Sequence, residues 1–278
     1  IEYANGSSFE GHAFFEASSI RKVNDKYYFV YSSQVMHELC YAVSDKPDSD
    51  FHFGGTLVSI ADIGFHGNTK PTNYTGNTHG GMVEINGQWY IFYHRQTNRI
   101  KCSRQACAEK IYIEADGSIK QVEVTSCGPN DGPLTAKGTY EARIACNLNG
   151  KKEMVKSDDA KKADKNMELP FFTQSGKDRE CDGDQYIANM KDGSWCGFKY
   201  FDFKGDESRI CVQTRGTVGG VLRVYTDRNQ SAIAEINLTA GDDWTNSNAE
   251  FSPIRGVTPL FFEYNGNGSI DFNKFTIE

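Results

Sequence analysis

Long hydrophobic runs and an excess of basic residues are both missing from this sequence. The longest apolar cluster is short, WYIFY at 89–93, whereas a membrane-spanning helix needs roughly 18 consecutive apolar residues. Acidic residues outnumber basic ones, 37 to 30, which gives a net charge of -7 without a basic stripe that could neutralise phosphate groups. We therefore expect neither a membrane nor a nucleic acid as a partner.

Zinc-ribbon and thioredoxin-type motifs are missing as well, because none of the eight cysteines forms a Cys-x-x-Cys pair. Several cysteines stand in apparent strands, as in HELCYAVS and RICVQT, where buried free thiols are favoured over disulfides. The cysteines do not indicate whether the protein occupies an oxidising or a reducing compartment, so a secreted and a cytoplasmic location both remain alternatives. The sequence starts at Ile1 without a charged segment followed by an apolar one, and we interpret this as a processed or truncated start.

Aromatic residues in alternating patterns are what the sequence does contain. Phe, Tyr and Trp make up 13% of the chain, although the mean hydropathy is only -0.57; this profile is typical of folded β-rich proteins and of sugar-contacting surfaces. A length of 278 residues predicts about two domains. Period-two alternation predicts an all-β first part, with strands at 26–33, 38–44, 88–94, 110–116 and 119–126.

A repeat with an offset of 62 residues lies in this first part. The segment IRKVNDKYYFVYS (20–32) aligns with VEINGQWYIFYH (83–94), and each copy reads as a strand, an Asn-containing tight turn and an aromatic strand. A further hairpin turn is predicted at Asp116-Gly117. Hairpins that recur at this interval predict successive blades of a β-propeller. One irregular sandwich with chance similarity remains the alternative.

The second half begins with a change of composition. Residues 147–168 are dense in Lys and Asp and predict a charged loop or linker, while 138–148 could supply a first strand. Six short alternating segments then predict a β-sandwich: 197–203, 209–215, 221–227, 232–238, 260–266 and 269–277. We expect a partial propeller over 1–130 and a sandwich module over 131–278.

Three polar residues near the repeat are candidates for chemistry. Glu16 stands among apolar and small residues in HAFFEASS, where partial desolvation would raise its pKa and suit a proton donor; a salt bridge at a strand end is the alternative. His79 lies one residue beyond the repeat position of Glu16, so it is a candidate ligand of a metal or water on the propeller axis, or else a structural histidine. Arg95 could bind a sugar hydroxyl or a carboxylate, or simply lie in a loop.

At these residues the sequence resembles glycoside hydrolase family 43. FFEASSIRKVNDKYYFVYSS is similar to the family's general-acid segment, NTHGGMVEINGQWYIFYHR to its His-Gly blade, and SRQACAEKIYIEADGSIKQV to its last hairpin. The resemblance implies a five-bladed propeller that removes arabinofuranosyl or xylosyl units from plant polysaccharides such as arabinoxylan, with inversion and without a cofactor for the chemistry. It implies that Glu16 is the general acid, that His79 lies near a central calcium, another cation or water, and, more weakly, that Arg95 binds substrate.

The chain departs from the family's pattern at its beginning. The family also uses an Asp base and a second Asp that orients the acid, and both come from earlier blades, yet only 15 residues precede Glu16 here. We therefore expect N-terminal blades from the same gene or another chain to complete the ring, and the edge near residues 1–20 to pair with them. A non-catalytic carbohydrate-binding protein with a degenerate propeller is the alternative.

The C-terminal part resembles a family 6 carbohydrate-binding module. The resemblance rests on QYIANMKDGSWCGFKYFDF, GDDWTNSNAEF and LFFEYNGNGSIDFNKFTIE, and such modules grip sugars with stacked aromatic rings. It implies that Trp244 binds substrate, with Tyr186 as the opposing ring; a structural role for Trp244, in a module that does not bind sugar, is the alternative. A core role is favoured for Trp195, which stands in a strand-forming run.

Overall fold

The structure is a computed structural model that describes residues 4–76, 78–100, 102–151, 168–176 and 184–278. It divides into two compact units. Unit 1 is Ile1–Gln96 with Arg104–Val124, and unit 2 is Thr97–Ser103 with Thr125–Glu278. The described residues form strands, turns and two short 3₁₀ helices, Phe65–Gly67 and Ala142–Ile144, without an α-helix. No helix in the described part of the chain has the length and apolar character needed to cross a bilayer.

Unit 1 contains two antiparallel sheets with seven strands in total. The first sheet has four strands in the order β1-β2-β3-β4, and the second has three in the order β5-β6-β7. Their bounds are Phe14–Val23 (β1), Lys26–Ser33 (β2), Glu38–Ser44 (β3), His52–Ser59 (β4), Gly80–Ile85 (β5), Gln88–Gln96 (β6) and Arg104–Ile111 (β7). Strands β2 and β3 have the predicted bounds, and β6 extends two residues beyond its prediction.

The predicted repeat is confirmed as a pair of equivalent hairpins. In β1-β2 the last partners are Val23 and Lys26, and in β5-β6 they are Ile85 and Gln88, so each turn has two residues. The first turn residue is an asparagine in both cases, with φ of 52° at Asn24 and at Asn86. Asparagine is among the few residues that adopt this left-handed region readily. The two turns could therefore be predicted from the asparagines alone.

The aromatic side chains of the first sheet are buried, and their hydroxyl groups are hydrogen-bonded. Tyr28, Tyr31 and Tyr41 are at most 2% exposed. The Tyr28 hydroxyl donates to the carbonyl of Gly117 at 2.8 Å, and the Tyr41 hydroxyl accepts the amide of Ile119 at 2.8 Å. These bonds tie the segment after β7 to the first sheet, because a buried hydroxyl without a partner is costly.

The predicted strands at 110–116 and 119–126 are mostly wrong. Strand β7 ends at Ile111, and the following hairpin turn at Asp116-Gly117 is closed by a single bridge between Ile113 and Ile119. The backbone beyond the turn finds partners that are not part of a regular ladder: the amide of Val122 donates to the carbonyl of Leu57, at 2.9 Å. The alternation in sequence therefore did not indicate the hydrogen bonding of this segment.

Unit 2 is a β-sandwich of two six-stranded sheets. One sheet has the order β10-β13-β18-β15-β16 with β8 beside β13, and the other has the order β11-β12-β19-β14-β17 with β9 beside β19. Their bounds are Leu134–Thr135 (β8), Gly138–Glu141 (β9), Asn147–Asn149 (β10), Phe171–Gln174 (β11), Gln185–Lys191 (β12), Trp195–Lys204 (β13), Arg209–Gly216 (β14), Gly220–Tyr225 (β15), Ala234–Leu238 (β16), Gly241–Glu250 (β17), Arg255–Asn265 (β18) and Ser269–Ile277 (β19).

The boundaries of this sandwich correct part of the sequence prediction. Residues 147–149 were expected to start a charged loop, but they form β10, because Leu148 is buried at 1% exposure and its neighbours pair with β13. Residues 152–167, the rest of the expected loop except for its two ends, lie outside the described residues. Strand β17 was not predicted because its sequence, GDDWTNSNAE, is polar and half of its residues are exposed; pairing with β14 forms it.

The core between the two sheets is built from phenylalanines in edge-to-face contacts. The ring of Phe198 lies 4.8 Å from that of Phe275 and 5.5 Å from that of Phe262. All three side chains are at most 1% exposed. Rings with an electron-rich face and a positive edge prefer this arrangement, which adds to the apolar area that they bury.

We predict that Phe198→Ala lowers the free energy of unfolding of the sandwich by about 3–5 kcal/mol, because it removes a buried ring and leaves a cavity. Chemical denaturation followed by tryptophan fluorescence measures the change. Val257→Ala is the control: Val257 is 57% exposed on β18, and its loss should cost at most about 1 kcal/mol. Equal effects of the two substitutions would contradict this account of the core.

Candidate functional site

Glu16 lies where the ladder between β1 and β2 is irregular. The register shifts between Phe14 and Glu16 and again between Glu16 and Ser19. Ala17 has a φ of 59°, a left-handed conformation that costs a non-glycine residue roughly 1–2 kcal/mol. Bulges turn side chains away from the regular alternation, and this one accompanies a Glu16 side chain that is 48% exposed. Strain of this kind is retained where the surrounding structure enforces it, often at functional sites.

His79 is the partner of Glu16. The Nε2 atom of His79 lies 2.8 Å from Oε1 of Glu16. The two residues are 63 positions apart in sequence and meet because β5 follows His79 directly. Gly80, the first residue of β5, lies so close to β6 that a Cβ there would come within 2.0 Å of the Phe92 carbonyl oxygen. The carbonyl of Thr78, on the other side of His79, accepts a hydrogen bond from the Ser32 hydroxyl.

A second imidazole lies beside this pair. The rings of His79 and His94 are 5.1 Å apart, and Nη1 of Arg104 is 3.4 Å from Nε2 of His94. The sequence analysis did not single out His94. The available signal was the neighbouring candidate Arg95: successive residues of a strand face opposite sides, so His94 faces away from Arg95. A carboxylate, two imidazoles and a guanidinium together can exchange protons and hold a polar ligand.

Arg95 projects to the other side of β6 and is used within the fold. It is 6% exposed, and both its Nε and its Nη2 donate to Oε1 of Gln105, at 3.0 and 2.9 Å. The same face carries Tyr93, whose hydroxyl donates to Glu109 at 3.2 Å. Burial raises the pKa of Tyr93, and the nearby Glu109 carboxylate raises it further. The structure brings Arg95 into this buried polar layer and not beside His94.

Tyr186 and Trp244 meet on the second unit, as the sequence suggested, but they contact each other. Their ring centroids are 5.3 Å apart at an angle of 74°. A sugar ring held between two aromatic faces would need about 7–8 Å, which is twice a van der Waals contact. The guanidinium of Arg215 lies 4.3 Å from the Trp244 centroid and donates to the Tyr186 hydroxyl at 2.8 Å. Asp271 accepts from the Nε of Arg215 at 3.0 Å.

The expected core role of Trp195 is wrong. Cys196 takes the inward position of β13 and is fully buried, so Trp195 projects from the outer face of the sheet. There its ring lies 6.1 Å from that of Phe261 and 4.0 Å from the guanidinium of Arg228. The seven cysteines among the described residues are free thiols, and Cys181 lies outside them.

Known proteins are similar to this chain over its whole length or over part of it. No protein-family model matches the chain. A xylosidase/arabinosidase of Thermoclostridium stercorarium is 49% identical over an alignment of 281 positions, which covers 99% of this chain and 58% of that protein. A beta-xylosidase of Xylanibacter ruminicola is 36% identical over 114 residues, 40% of this chain and 32% of that protein. The chain therefore spans little more than half the length of the first relative and less of the second.

Among solved structures, a family 43 arabinoxylan arabinofuranohydrolase from Bacillus subtilis has the same fold. Its TM-score is 0.51 at 21% identity, and the match covers 95% of this chain and 54% of that one. The prediction of an all-β chain with propeller blades followed by a sandwich is confirmed. The comparisons also confirm the resemblance to glycoside hydrolase family 43, and unit 2 has the sandwich fold that a family 6-like module implies.

Proposed function

We propose that this chain is part of an inverting glycoside hydrolase that removes arabinofuranosyl or xylosyl units from plant polysaccharides such as arabinoxylan. The observation that carries the proposal is the 2.8 Å contact between Glu16 and His79 at the bulge of β1. The 49% identity to a xylosidase/arabinosidase supports it. Residues 1–130 would contribute to the catalytic propeller and residues 131–278 would form a carbohydrate-binding module.

In this proposal Glu16 protonates the oxygen of the leaving group. Its side chain is half exposed, so a substrate can reach it, and it is oriented by His79. Inversion requires a second carboxylate about 6.5–9.5 Å away, with room for the attacking water. Asp62 does not suit that role, because it is buried and its Oδ1 accepts the amide of Val124 at 2.8 Å. We propose that the base and the orienting aspartate come from β-structure outside this chain.

We propose that His79 positions Glu16 and contacts a water or a cation near the propeller axis. The donors beside it are one carboxylate and the imidazole of His94. Calcium takes six to eight oxygen ligands, so these residues fit a calcium ion poorly by themselves. They fit a water molecule, which an imidazole and a carboxylate can bind together. No catalytic step needs a cation here.

Exposed apolar side chains on β1 and β5, the edge strands of the two sheets of unit 1, support the proposal that further β-structure covers these strands. Phe15 and Ile20 on β1 are 48% and 42% exposed, and Val83 and Ile85 on β5 are 38% and 43% exposed. Such side chains on strands of one unit are typical of a surface that binds another protein segment. The relative's greater length leaves room for such a segment. The proposed partner is the rest of the propeller, from the same gene or another chain.

The substitution Glu16→Gln should reduce activity by an amount that depends on the leaving group of the substrate. In the polypeptide of the complete reading frame, we expect kcat/KM on an unactivated xyloside or arabinofuranoside to fall by about 10²–10⁴, the usual contribution of a general acid. An aryl glycoside with a good leaving group should lose far less, because its departure needs no proton. Steady-state kinetics on both substrates measure the split.

Glu250→Gln is the matched control, because Glu250 is an exposed carboxylate on β17 of unit 2 and both substrates should be hydrolysed at the parental rate. Equal losses on the two substrates, or none, would refute the assignment of Glu16. A complete protein that binds the polysaccharide without hydrolysing it would instead support the non-catalytic alternative.

The sheet-edge proposal predicts the behaviour of the 278-residue chain alone. We expect it to self-associate, because exposed strand edges and apolar side chains pair with other chains. Light scattering after size exclusion, with an intact-mass check, measures its state. A monodisperse 31.1 kDa monomer would count against the missing blades.

For unit 2 we propose that a sugar stacks on Trp244, which is partly exposed, with Tyr186 and Arg215 holding the indole in place. Trp244→Ala should weaken binding of a xylo-oligosaccharide by about 30-fold, the effect of a 2 kcal/mol hot spot. Calorimetric titration measures the affinity. Trp195→Ala is the control, because that ring is also stacked on an arginine, Arg228, but lies in the other sheet. Unchanged affinity in Trp244→Ala would leave that residue with a structural role.

A further inference from the structure

A second cluster of reactive side chains lies in the first sheet of unit 1. His12 precedes β1, and Glu38 and Cys40 are two residues apart on β3, so their side chains share a face. One donor atom from each of the three residues lies within 4.8 Å of the other two. Cys40 is fully buried and the Glu38 side chain is 6% exposed, whereas that of His12 is 35% exposed. Two of the three side chains, Glu38 and Cys40, are thus buried, and His12 is accessible to solvent.

The imidazole of His12 is held in a defined orientation. Its ring stacks on that of Phe53 at 4.4 Å and 11°. The carbonyl of His12 accepts a hydrogen bond from the Tyr31 hydroxyl at 2.7 Å. As a result its Nδ1 atom points at Oε1 of Glu38, 2.7 Å away. Packing and hydrogen bonding therefore preorganise the one ligand that faces solvent.

Two hydroxyl groups orient the Glu38 carboxylate. Ser33 donates to Oε1 at 2.6 Å, and Thr56 donates to Oε2 at 3.1 Å. The Thr56 hydroxyl also lies 3.8 Å from the Sγ of Cys40. Metal sites in proteins are commonly supported in this way, by neighbours that hydrogen-bond to the ligands and fix their geometry.

We propose that His12, Glu38 and Cys40 bind one divalent cation of borderline softness, with Zn²⁺ as the best fit. Nitrogen, carboxylate and thiolate donors together match zinc, whereas calcium and magnesium require oxygen. Bonds of about 2.0–2.3 Å in a tetrahedron put the donors about 3.3–3.7 Å apart. To reach this spacing no pair of donors has to close by more than about 1 Å, and the His12–Glu38 pair, at 2.7 Å, has to open by less than that.

Charge balance supports a dication at this buried position. The Glu38 carboxylate and the Cys40 thiolate would neutralise the two positive charges, so no net charge is buried. On binding, the Cys40 thiol and the Nδ1 of His12 release any proton they carry to solvent. A water supplies the fourth ligand. The site uses none of the residues of the Glu16–His79 pair and does not depend on the proposed hydrolase activity.

Cobalt titration tests the site directly. The reduced 278-residue chain, freed of metal with a chelator, is titrated with Co²⁺, which gives an intense near-ultraviolet thiolate charge-transfer band when bound to cysteine. We expect one equivalent to produce the band and Zn²⁺ to displace it. Cys40→Ala should abolish the band, and His12→Gln should weaken Co²⁺ affinity by at least about 100-fold, since even neighbours of ligands change affinity by 10–100-fold.

Cys102→Ser is the matched control, because Cys102 is an exposed thiol on another segment, and it should keep the band and the affinity. Circular dichroism of each variant checks folding, and His12→Gln decides the outcome should Cys40→Ala fail to fold. The absence of a stoichiometric band in the parent chain overturns the proposal. A band that persists unchanged in Cys40→Ala or His12→Gln overturns it as well.

Discussion

The rest of unit 1 depends on one constraint. The first sheet must bury its aromatic side chains while every buried backbone group keeps a hydrogen-bond partner. Tyr28, Tyr31 and Tyr41 meet this constraint. Each ring is buried, and each hydroxyl forms a hydrogen bond with a backbone group. Those backbone groups belong to His12, Gly117 and Ile119. The packing of one sheet therefore determines where the segments before β1 and after β7 run.

The proposed catalytic pair lies where this order is interrupted. A regular ladder would alternate the residues of β1 between the two faces, and the bulge with left-handed Ala17 breaks the alternation at Glu16. His79 reaches Glu16 because Gly80 allows β5 to approach β6 closely. The energy of the strained backbone is offset by the regular pairing that follows it, from Ser19 to Val23. A half-exposed carboxylate in a defined orientation results.

Buried polar groups in unit 1 fall into two further sets with different characters. Arg95 pairs with Gln105, and Tyr93 pairs with Glu109, so these two pairs join β6 to β7. The set of His12, Glu38 and Cys40 combines three different donor types and opens to solvent at His12. The contrast shows why burial by itself does not identify a site; the kinds of donor and their accessibility do.

The sequence by itself determined the local features: the asparagine turns of the two hairpins, the bounds of β2 and β3, and the all-β composition of both halves. These depend on backbone preferences and on alternation over a few residues. Tertiary structure decided the rest. The polar strand β17 exists because β14 pairs with it, Trp195 lies outside because Cys196 faces the core, and Arg95 is held by Gln105. Glu16 and His79 were expected near each other from the repeat, but their contact, like that of His12 with Glu38, joins residues far apart in sequence. Such contacts depend on how strands pack, which no local pattern records.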